Sequence, residues 1–580
     1  MSNLMHIFSS GVSGLFASQA GIDVTGHNIS NVNTEGYSRQ RVAQTTATPD
    51  INGGKIFGRG VDVETVERIY NDMLAGTIRG EKSDLSYYET LQTALSKVEI
   101  YFNELENGSG LGESLQDYFD AWNDLANTAP DQSDESLIKK ETVVQTAATL
   151  SSKIQSSYYS LDAMREEGNY LIGEYVTEIN EIADNISYLN GNIALAEAGG
   201  GSANDYRDQR EVLVNRLASM TNVAVSERNS GQVAVYIGGN ALVDEGKVFK
   251  LSAEQSSEDT DVSIFWGTEN QSRDKVDITS SFKKGEIAGE LHVRDNLVSD
   301  YMDTLNTLAS AIIEETNRIH SLGQGTDRLT QITSSNGVIN TSYTFNEPVG
   351  QLPLEVKEGT LRITVYDDNG DIVDNLDISV DPEKDGINSM INKISAADGN
   401  ANGGLIQANV SPNNTIKITS GSGYDFTFTE DTSNFLVASG IYGFFSGSDA
   451  SNMGVSSLIM SSNNFIATSA TGAPGDNQNA YNIANLKDED LDSLMGVTMD
   501  EYYAYFAARI GSDKASADIY VSTKQEAVGE LSLKLEEVKG VSMDEEMTNL
   551  MKYQRAFEAS SRFITTVDQM LSTLLNSLGR

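Results

Sequence analysis

Cysteine is absent from the 580-residue chain. That removes disulfides, thiol nucleophiles and thiolate metal ligands together. Basic residues are scarce, with 40 Lys and Arg against 84 Asp and Glu, for a formal net charge of -44. Nucleic-acid binding through phosphates needs a cationic footprint, and this chain has no such excess. The four histidines, His6, His27, His292 and His320, lack the H-E-x-x-H spacing that would set two metal ligands on one helical face. The first basic side chain is Arg39, so the opening has no cationic n-region of a secretory signal peptide, and any export is expected by another route. Residues 1–22 carry no charge, yet Ser, Asn, Gln and His recur too often among them for a membrane span.

Catalytic patterns are missing as well. There is no G-x-S-x-G elbow and no phosphate loop. Gly58-Arg59-Gly60 and Gly108-Ser109-Gly110 lack the third glycine and the strand-to-helix setting of a dinucleotide site, so they read as loops. Asp367-Asp368-Asn369-Gly370-Asp371 has neither the full ligand spacing nor the terminal Glu of a calcium loop. Its Asn-Gly between two strand-like runs predicts a hairpin turn. In so acidic a chain no pair of carboxylates stands out for acid/base work. No catalytic residue, metal site or cofactor is expected.

What the chain does have is a matching pattern at its two ends. Leu4, Phe8, Gly11, Leu15, Ser18, Ile22, Thr25, Ile29 and Val32 follow alternating steps of four and three. The same steps run through Met543, Met547, Leu550, Gln554, Phe557, Ser561, Ile564, Asp568, Leu571, Leu575 and Leu578, with Val567 and Leu574 thickening the stripe. Two helical seams of equal period at opposite termini want each other or other copies. The C-terminal stretch opens on a capping box, Ser542 to Glu545, and has no Gly or Pro from Met543 to Leu578, which predicts one long helix. The N-terminal stretch contains Gly11, Gly14, Gly21 and Gly26, each costing about 1 kcal/mol against Ala in a helix interior. Small and polar seam positions predict close packing and register control rather than a greasy dimer.

Between the ends the patterning is helical with a β-rich interruption. Strand-like alternation near Arg41–Thr46 and Val61–Ile69 precedes helical segments at roughly 71–102, 112–127, 134–166, 168–198 and 205–220. Short strands near 223–225, 233–237 and 262–266 lead to a helix over about 294–320. From 330 to 445 strands dominate around one helix near 387–396. The expected fold class is therefore multidomain and mainly α, with terminal coiled-coil helices, a long helical bundle and an inserted β-rich α+β domain. The expected divisions are 1–33 with 541–580 as an assembly domain, 34–330 with 446–540 as the body, and 331–445 as the insert.

Particular motifs carry a resemblance. Ser18-Gln19-Ala20 followed by Asn28-Ile29-Ser30-Asn31-Val32-Asn33-Thr34-Glu35-Gly36-Tyr37-Ser38-Arg39-Gln40 closely resembles the N-terminal signature of bacterial flagellar rod, hook and hook-associated axial proteins. The segment from Gly540 to Met547, with Tyr553–Phe557 and Thr566–Asp568, is similar to the other end of that family. Ala121–Ala126, Asp205–Arg210 and Asn317–Gly323 resemble internal motifs of its hook-associated members. His27 departs from the usual Asn and Tyr206 from a small apolar residue; neither disturbs the seam.

The resemblance implies a structural adaptor joining hook to filament, without catalytic activity, exported unfolded by the flagellum-specific type III apparatus. The implied location is extracellular, on the flagellum, after a cytoplasmic stage. Implied partners are copies of the chain in a helical ring, hook subunits, the next hook-associated protein on the filament side, and a cytoplasmic export chaperone at the C-terminal helix. No nucleic acid and no membrane are implied. The residues expected to assemble are Leu4, Phe8, Leu15, Ile22, Ile29, Val32, Met547, Leu550, Phe557, Ile564, Val567, Leu571, Leu574 and Leu578, beside the family motif Asn28, Asn31, Asn33, Thr34, Gly36 and Tyr37. Alternatives are another axial protein, such as the hook subunit or third hook-associated protein, or a wall-cutting hydrolase carried on an axial protein.

Overall fold

The computed structural model describes residues 2–52, 55–102, 110–128, 133–255, 260–267, 275–347, 352–397, 404–473 and 475–578. Its helices, in chain order, are α1 (Ser2–Ser30), α2 (Asp72–Phe102), α3 (Leu111–Ala126), α4 (Asp134–Glu197), α5 (Asn204–Met220), α6 (Gly285–His292), α7 (Ser299–His320), α8 (Ile387–Ser395), α9 (Phe435–Ser439), α10 (Ser457–Ser461), α11 (Gln478–Asn485), α12 (Met499–Lys539) and α13 (Met543–Leu578). The fold is mainly α and multidomain, with a β-rich insertion. Among the described residues no helix is long and apolar enough to cross a membrane. Residues 134–166 and 168–198, read as two helices from sequence, form the single 64-residue α4. Gly168 lies on its buried side, and a lone glycine costs too little to stop a helix this long. The chain divides into two compact units.

The first unit comprises residues 1–93, 167–293 and 515–580. Here α1 runs along α13 and also packs on an antiparallel ribbon, Gln40–Thr46 with Val61–Arg68, which carries a bulge at Ala43/Gln44. The second half of α4 presents Ile172, Val176, Ile179, Ala183 and Ile186 at helical spacing to a core shared with Val214 and Leu217 of α5. An antiparallel meander of Val223–Glu227, Val233–Ile237, Asn240–Asp244 and Lys247–Val248 closes that core with the three-stranded sheet Val276–Asp277, Val262–Trp266 and Leu251–Gln255. Burying each aliphatic side chain of this core stabilises by roughly 1.5–3 kcal/mol.

The second unit comprises residues 94–166 and 294–514. It contains an α+β core running from Leu329 to Ala467. Two antiparallel three-stranded sheets build it: Ile372–Val380, Gly359–Asp367 and Tyr424–Asp431 in one, Gln331–Thr333, Thr415–Ser420 and Ile406–Ser411 in the other. α8 buries Ile387, Met390 and Ile394 into the same core. The Asp367–Asp371 segment is the hairpin turn its Asn-Gly pair predicts. Asp367 Oδ1 accepts from the Asn369 and Asp371 amides, at 2.9 and 3.0 Å, and Gly370 takes φ +85°.

Candidate assembly site

The two terminal helices pack antiparallel in one unbroken register. A Cβ placed on Gly11 would lie 2.9 Å from the Phe563 ring, one on Gly14 3.2 Å from Ser560 Oγ, and one on Gly21 2.6 Å from the Tyr553 ring. Asn28 meets Glu546 in the same series. Each step forward along α1 is matched by an equal step back along α13. The glycines that weaken α1 in isolation thus let a tyrosine ring and a phenylalanine ring lie on its backbone. Ser18 and Thr25 are also buried, Ser18 donating to the Gly14 carbonyl at 2.7 Å.

The rows in contact differ in phase from the most apolar reading of the sequence. Leu550, Phe557, Ile564 and Leu571 lie on the less exposed side of α13, and Val567 is buried. The second row, however, is Glu546, Tyr553, Ser560 and Val567, one residue ahead of Met547, Gln554, Ser561 and Asp568. Met547 and Leu574 are exposed. On α1 the matching slip replaces Leu15, Ile22 and Ile29 by Gly14, Gly21 and Asn28; Leu15, Ile22 and Ile29 are half-buried and Phe8 is exposed. Val32 lies beyond the end of α1, in the turn that follows. The Leu4 and Leu578 side chains fall outside the described residues.

At one end of the helix pair the contact becomes polar and fully bonded. Asn28, 1% exposed, uses all four hydrogen-bonding positions of its amide. Its Nδ2 donates to the Gln40 carbonyl at 2.9 Å and to Glu546 Oε2 at 3.0 Å. Its Oδ1 accepts from the Gln40 amide at 2.9 Å and from the Tyr37 hydroxyl at 2.7 Å. Glu546 is 2% exposed, and its other oxygen accepts from Arg39 Nε at 2.7 Å, while Arg39 Nη1 reaches Glu545 at 2.9 Å. The guanidinium and the Asn28 amide make burial of the carboxylate tolerable.

The same junction reaches α5. The Ser38 amide donates to Asp208 Oδ2 at 2.9 Å, Arg68 pairs with Asp208 Oδ1 at 3.2 Å, and Gln40 Nε2 donates to Asp205 at 2.9 Å. Burial raises the Asp208 carboxyl pKa despite these donors. Burial, followed by the charges of Asp205, Asp208 and Glu546, raises that of the Tyr37 hydroxyl well above its usual range. Arg210 is buried on Asn190 Oδ1 at 2.9 Å and the Gly231 carbonyl at 2.8 Å, its pKa pulled down to about 10 by desolvation. Three separated stretches, 28–40, 205–210 and 545–546, therefore meet in space. Sequence spacing alone carries no signal of that convergence.

The turn between α1 and the ribbon holds the remaining motif residues. Asn31 Nδ2 donates to the His27 carbonyl at 3.0 Å, Thr34 Oγ1 to Asn31 Oδ1 at 3.1 Å, and the Tyr37 amide to the Thr34 carbonyl at 3.2 Å. Asn33 is exposed. Gly36 takes φ +79° with Val212 so near that a Cβ would lie 2.3 Å from it, so both conformation and space require glycine. Beside this turn lies a cavity of about 620 Å³ lined by Tyr188, Leu189, Val212 and Leu213 as well as His27, Glu35 and Asp205.

The other internal motifs serve the second unit. His320 is fully buried between the Tyr442 carbonyl, 3.0 Å from Nδ1, and the Ala467 amide, 3.0 Å from Nε2. Nδ1 therefore donates and Nε2 accepts, the neutral ring, and burial lowers the imidazole pKa to about 4. Asn317 brackets Phe445 by bonding both its carbonyl and its amide at 2.9 Å. Trp122 stacks edge-on to Phe444 with ring centroids 5.2 Å apart. These motif residues are core fasteners.

Three family models match the chain along these regions: the flagellar hook-associated protein FlgK helical domain over residues 95–332, the flagellar basal body rod FlgEFG protein C-terminal over 535–578, and the flagella basal body rod protein over 8–37. Flagellar hook-associated protein 1 of Bacillus subtilis strain 168 is 26% identical over 576 residues, covering 97% of this chain and 96% of that one. The protein of the same name from Salmonella typhimurium strain LT2 is 24% identical, covering 97% and 98%. The chain is related to flagellar hook-associated protein 1 over 97% of its length. The solved flagellar hook junction protein FlgK from Burkholderia pseudomallei shares the fold, with a TM-score of 0.51 at 16% identity over 80% of this chain and all of that one. In this chain the two terminal matches are the segments that form most of α1 with its turn, and α13.

Proposed function

We propose that the chain is a structural, non-enzymatic component of the bacterial flagellum that joins hook to filament and assembles through α1 and α13. The observation that carries the reading is the unbroken antiparallel pairing of two helices from opposite ends of the chain, each largely within a segment matched by a flagellar rod family model. Relatedness to flagellar hook-associated protein 1 over 97% of the chain supports it. The residues proposed for assembly are the terminal-helix set named from sequence, with Asn28, Arg39 and Glu546 holding the polar end. Partners in this reading are further copies in a ring, hook subunits, the next hook-associated protein, and an export chaperone at the C-terminal helix. The location is the hook-filament junction after a cytoplasmic stage.

The test is deletion of the gene in its own host, followed by complementation. Bare hooks that shed filament subunits, restored to full filaments by the intact chain, with antibody labelling at the hook tip, are expected. Normal filaments in the deletion strain would refute the reading.

A further inference from the structure

The outer face of α13 differs from the rest of the molecule in charge. Between Met547 and Val567 it carries Lys552, Arg555 and Arg562 against one carboxylate, Glu558, in a chain of net charge -44. Helical spacing places these cations opposite the row that meets α1. All three are exposed, and among the described residues none is in an ion pair. α1 offers them little, since its one carboxylate is Asp23. Large apolar side chains stand beside them: Met551 and Met570 are each about half exposed, whereas the Phe563 ring is turned onto Gly11 of α1. Cations interleaved with exposed apolar groups on a rigid helix form a surface matched to an acidic groove with an apolar floor.

The first unit presents such a groove. The cavity beside the 31–37 turn has Tyr188, Leu189, Val212 and Leu213 on its walls and Glu35 and Asp205 at its edge. Tyr188 is 70% exposed and Glu35 exposed, with no hydrogen bond or ion pair between Glu35 and any described residue. The two surfaces are different patches of one chain, so their union would be heterologous and would propagate along a helix rather than close as a symmetric pair.

We propose that the cationic outer face of α13 in one subunit docks into the acidic, apolar groove beside the 31–37 turn of a second copy of this chain. The proposal rests on the assembly reading above and names the surfaces that make the contact. Charge sets orientation and register here, and the Met551 and Tyr188 side chains supply apolar contact.

The experiment places a photo-reactive phenylalanine analogue at Met551 of the full chain in the flagellated host, with flagella isolated after illumination. The expected product is a dimer of this chain whose linked peptide lies within 185–213 or 27–37. A cross-link to another protein, to another surface of the chain, or no cross-link at all overturns the proposal. Antibody labelling of the same flagella reports separately whether the chain sits at the hook tip, so failure of the contact and failure of the functional reading are distinguished. A second arm uses charge reversal. Arg555→Glu with Arg562→Glu is expected to cut attached filaments at least tenfold while exported protein is unchanged, and adding Glu35→Lys is expected to recover them. Unchanged filaments in the first variant, or no recovery with Glu35→Lys, also overturns it.

Discussion

Gly21 and Tyr553 stand so close that a Cβ on residue 21 would lie 2.6 Å from the tyrosine ring, closer than any side-chain carbon can come without displacement. Gly26, five residues on in the same helix, would receive a methyl with nothing within 4 Å. The two glycines are thus opposite experiments on one element. Gly21→Val is expected to force α1 off α13 and cost about 1–3 kcal/mol as overpacking. Gly26→Ala is expected to stabilise α1 by about 1 kcal/mol through helix propensity alone. Amide exchange along residues 10–30 separates the cases: faster in the first variant, slower in the second. Equal exchange in both would mean that the glycines are not there for close approach.

The buried end of the pair gives a second test. Glu546 binds both Arg39 and Asn28 with its carboxylate almost wholly out of solvent. Removing one partner of a buried pair strands the other, at a cost of about 3–5 kcal/mol. Glu546→Ala and Arg39→Ala are each expected to destabilise the first unit strongly in urea unfolding, and the double variant by clearly less than the two together. Full additivity would show that the charges do not act as a pair.

His320 makes acid stability diagnostic. Its pKa is lowered to about 4 in the fold by burial, below the ordinary histidine value of 6.5. The folded state therefore holds the neutral ring, and its contribution is fully present above pH 6.5. It is lost as pH falls from 6.5 through 4, when the unfolded chain takes up a proton that the fold resists. At about 1.4 kcal/mol per unit of pKa, the loss is on the order of 3 kcal/mol. His320→Gln is expected to be less stable at neutral pH and to decline more shallowly between pH 6.5 and 4. Parallel pH profiles for the two proteins would contradict the assignment.

How much of this was legible beforehand depends on what held each part together. Heptad steps made both terminal helices and the Leu550, Phe557, Ile564, Leu571 row readable, because apolar spacing is a local signal. The second row was hidden, since close contact there uses Gly14, Gly21 and Asn28 against Ser560, Tyr553 and Glu546, and small or polar residues do not announce a buried face. The strands within 330–445 alternate clearly, and Asn369-Gly370 marks its hairpin. The meeting of Asn28, Arg39, Asp208 and Glu546 was not readable, because it joins segments hundreds of residues apart through hydrogen bonds that leave no periodicity.

The inserted α+β core offers the last test, and the outcome turns on where it is cut. Asn336 donates its backbone amide to the Ser439 carbonyl at 3.0 Å and its side-chain amide to the Ala438 carbonyl at 3.0 Å, so residues 336 and 438–439 lie side by side and bracket most of the core. Beyond that exit, Phe444 and Phe445 pack with Tyr118 and Trp122, and Tyr442 bonds His320. Excision of 337–437, closed by a short Gly/Ser linker across two neighbouring strands of chain, is expected to leave the helical part of the second unit folded. Excision of 331–445 removes both phenylalanines, each worth about 3–5 kcal/mol in a core, and strands His320 and Asn317; that variant is expected to unfold there. In a Trp266→Phe background Trp122 is the sole tryptophan, so its emission should stay blue in the first excision and shift red in the second. Filament attachment in a complemented strain should follow the emission, and a red-shifted first excision would show that the insert is part of the helical core rather than a lobe carried on it.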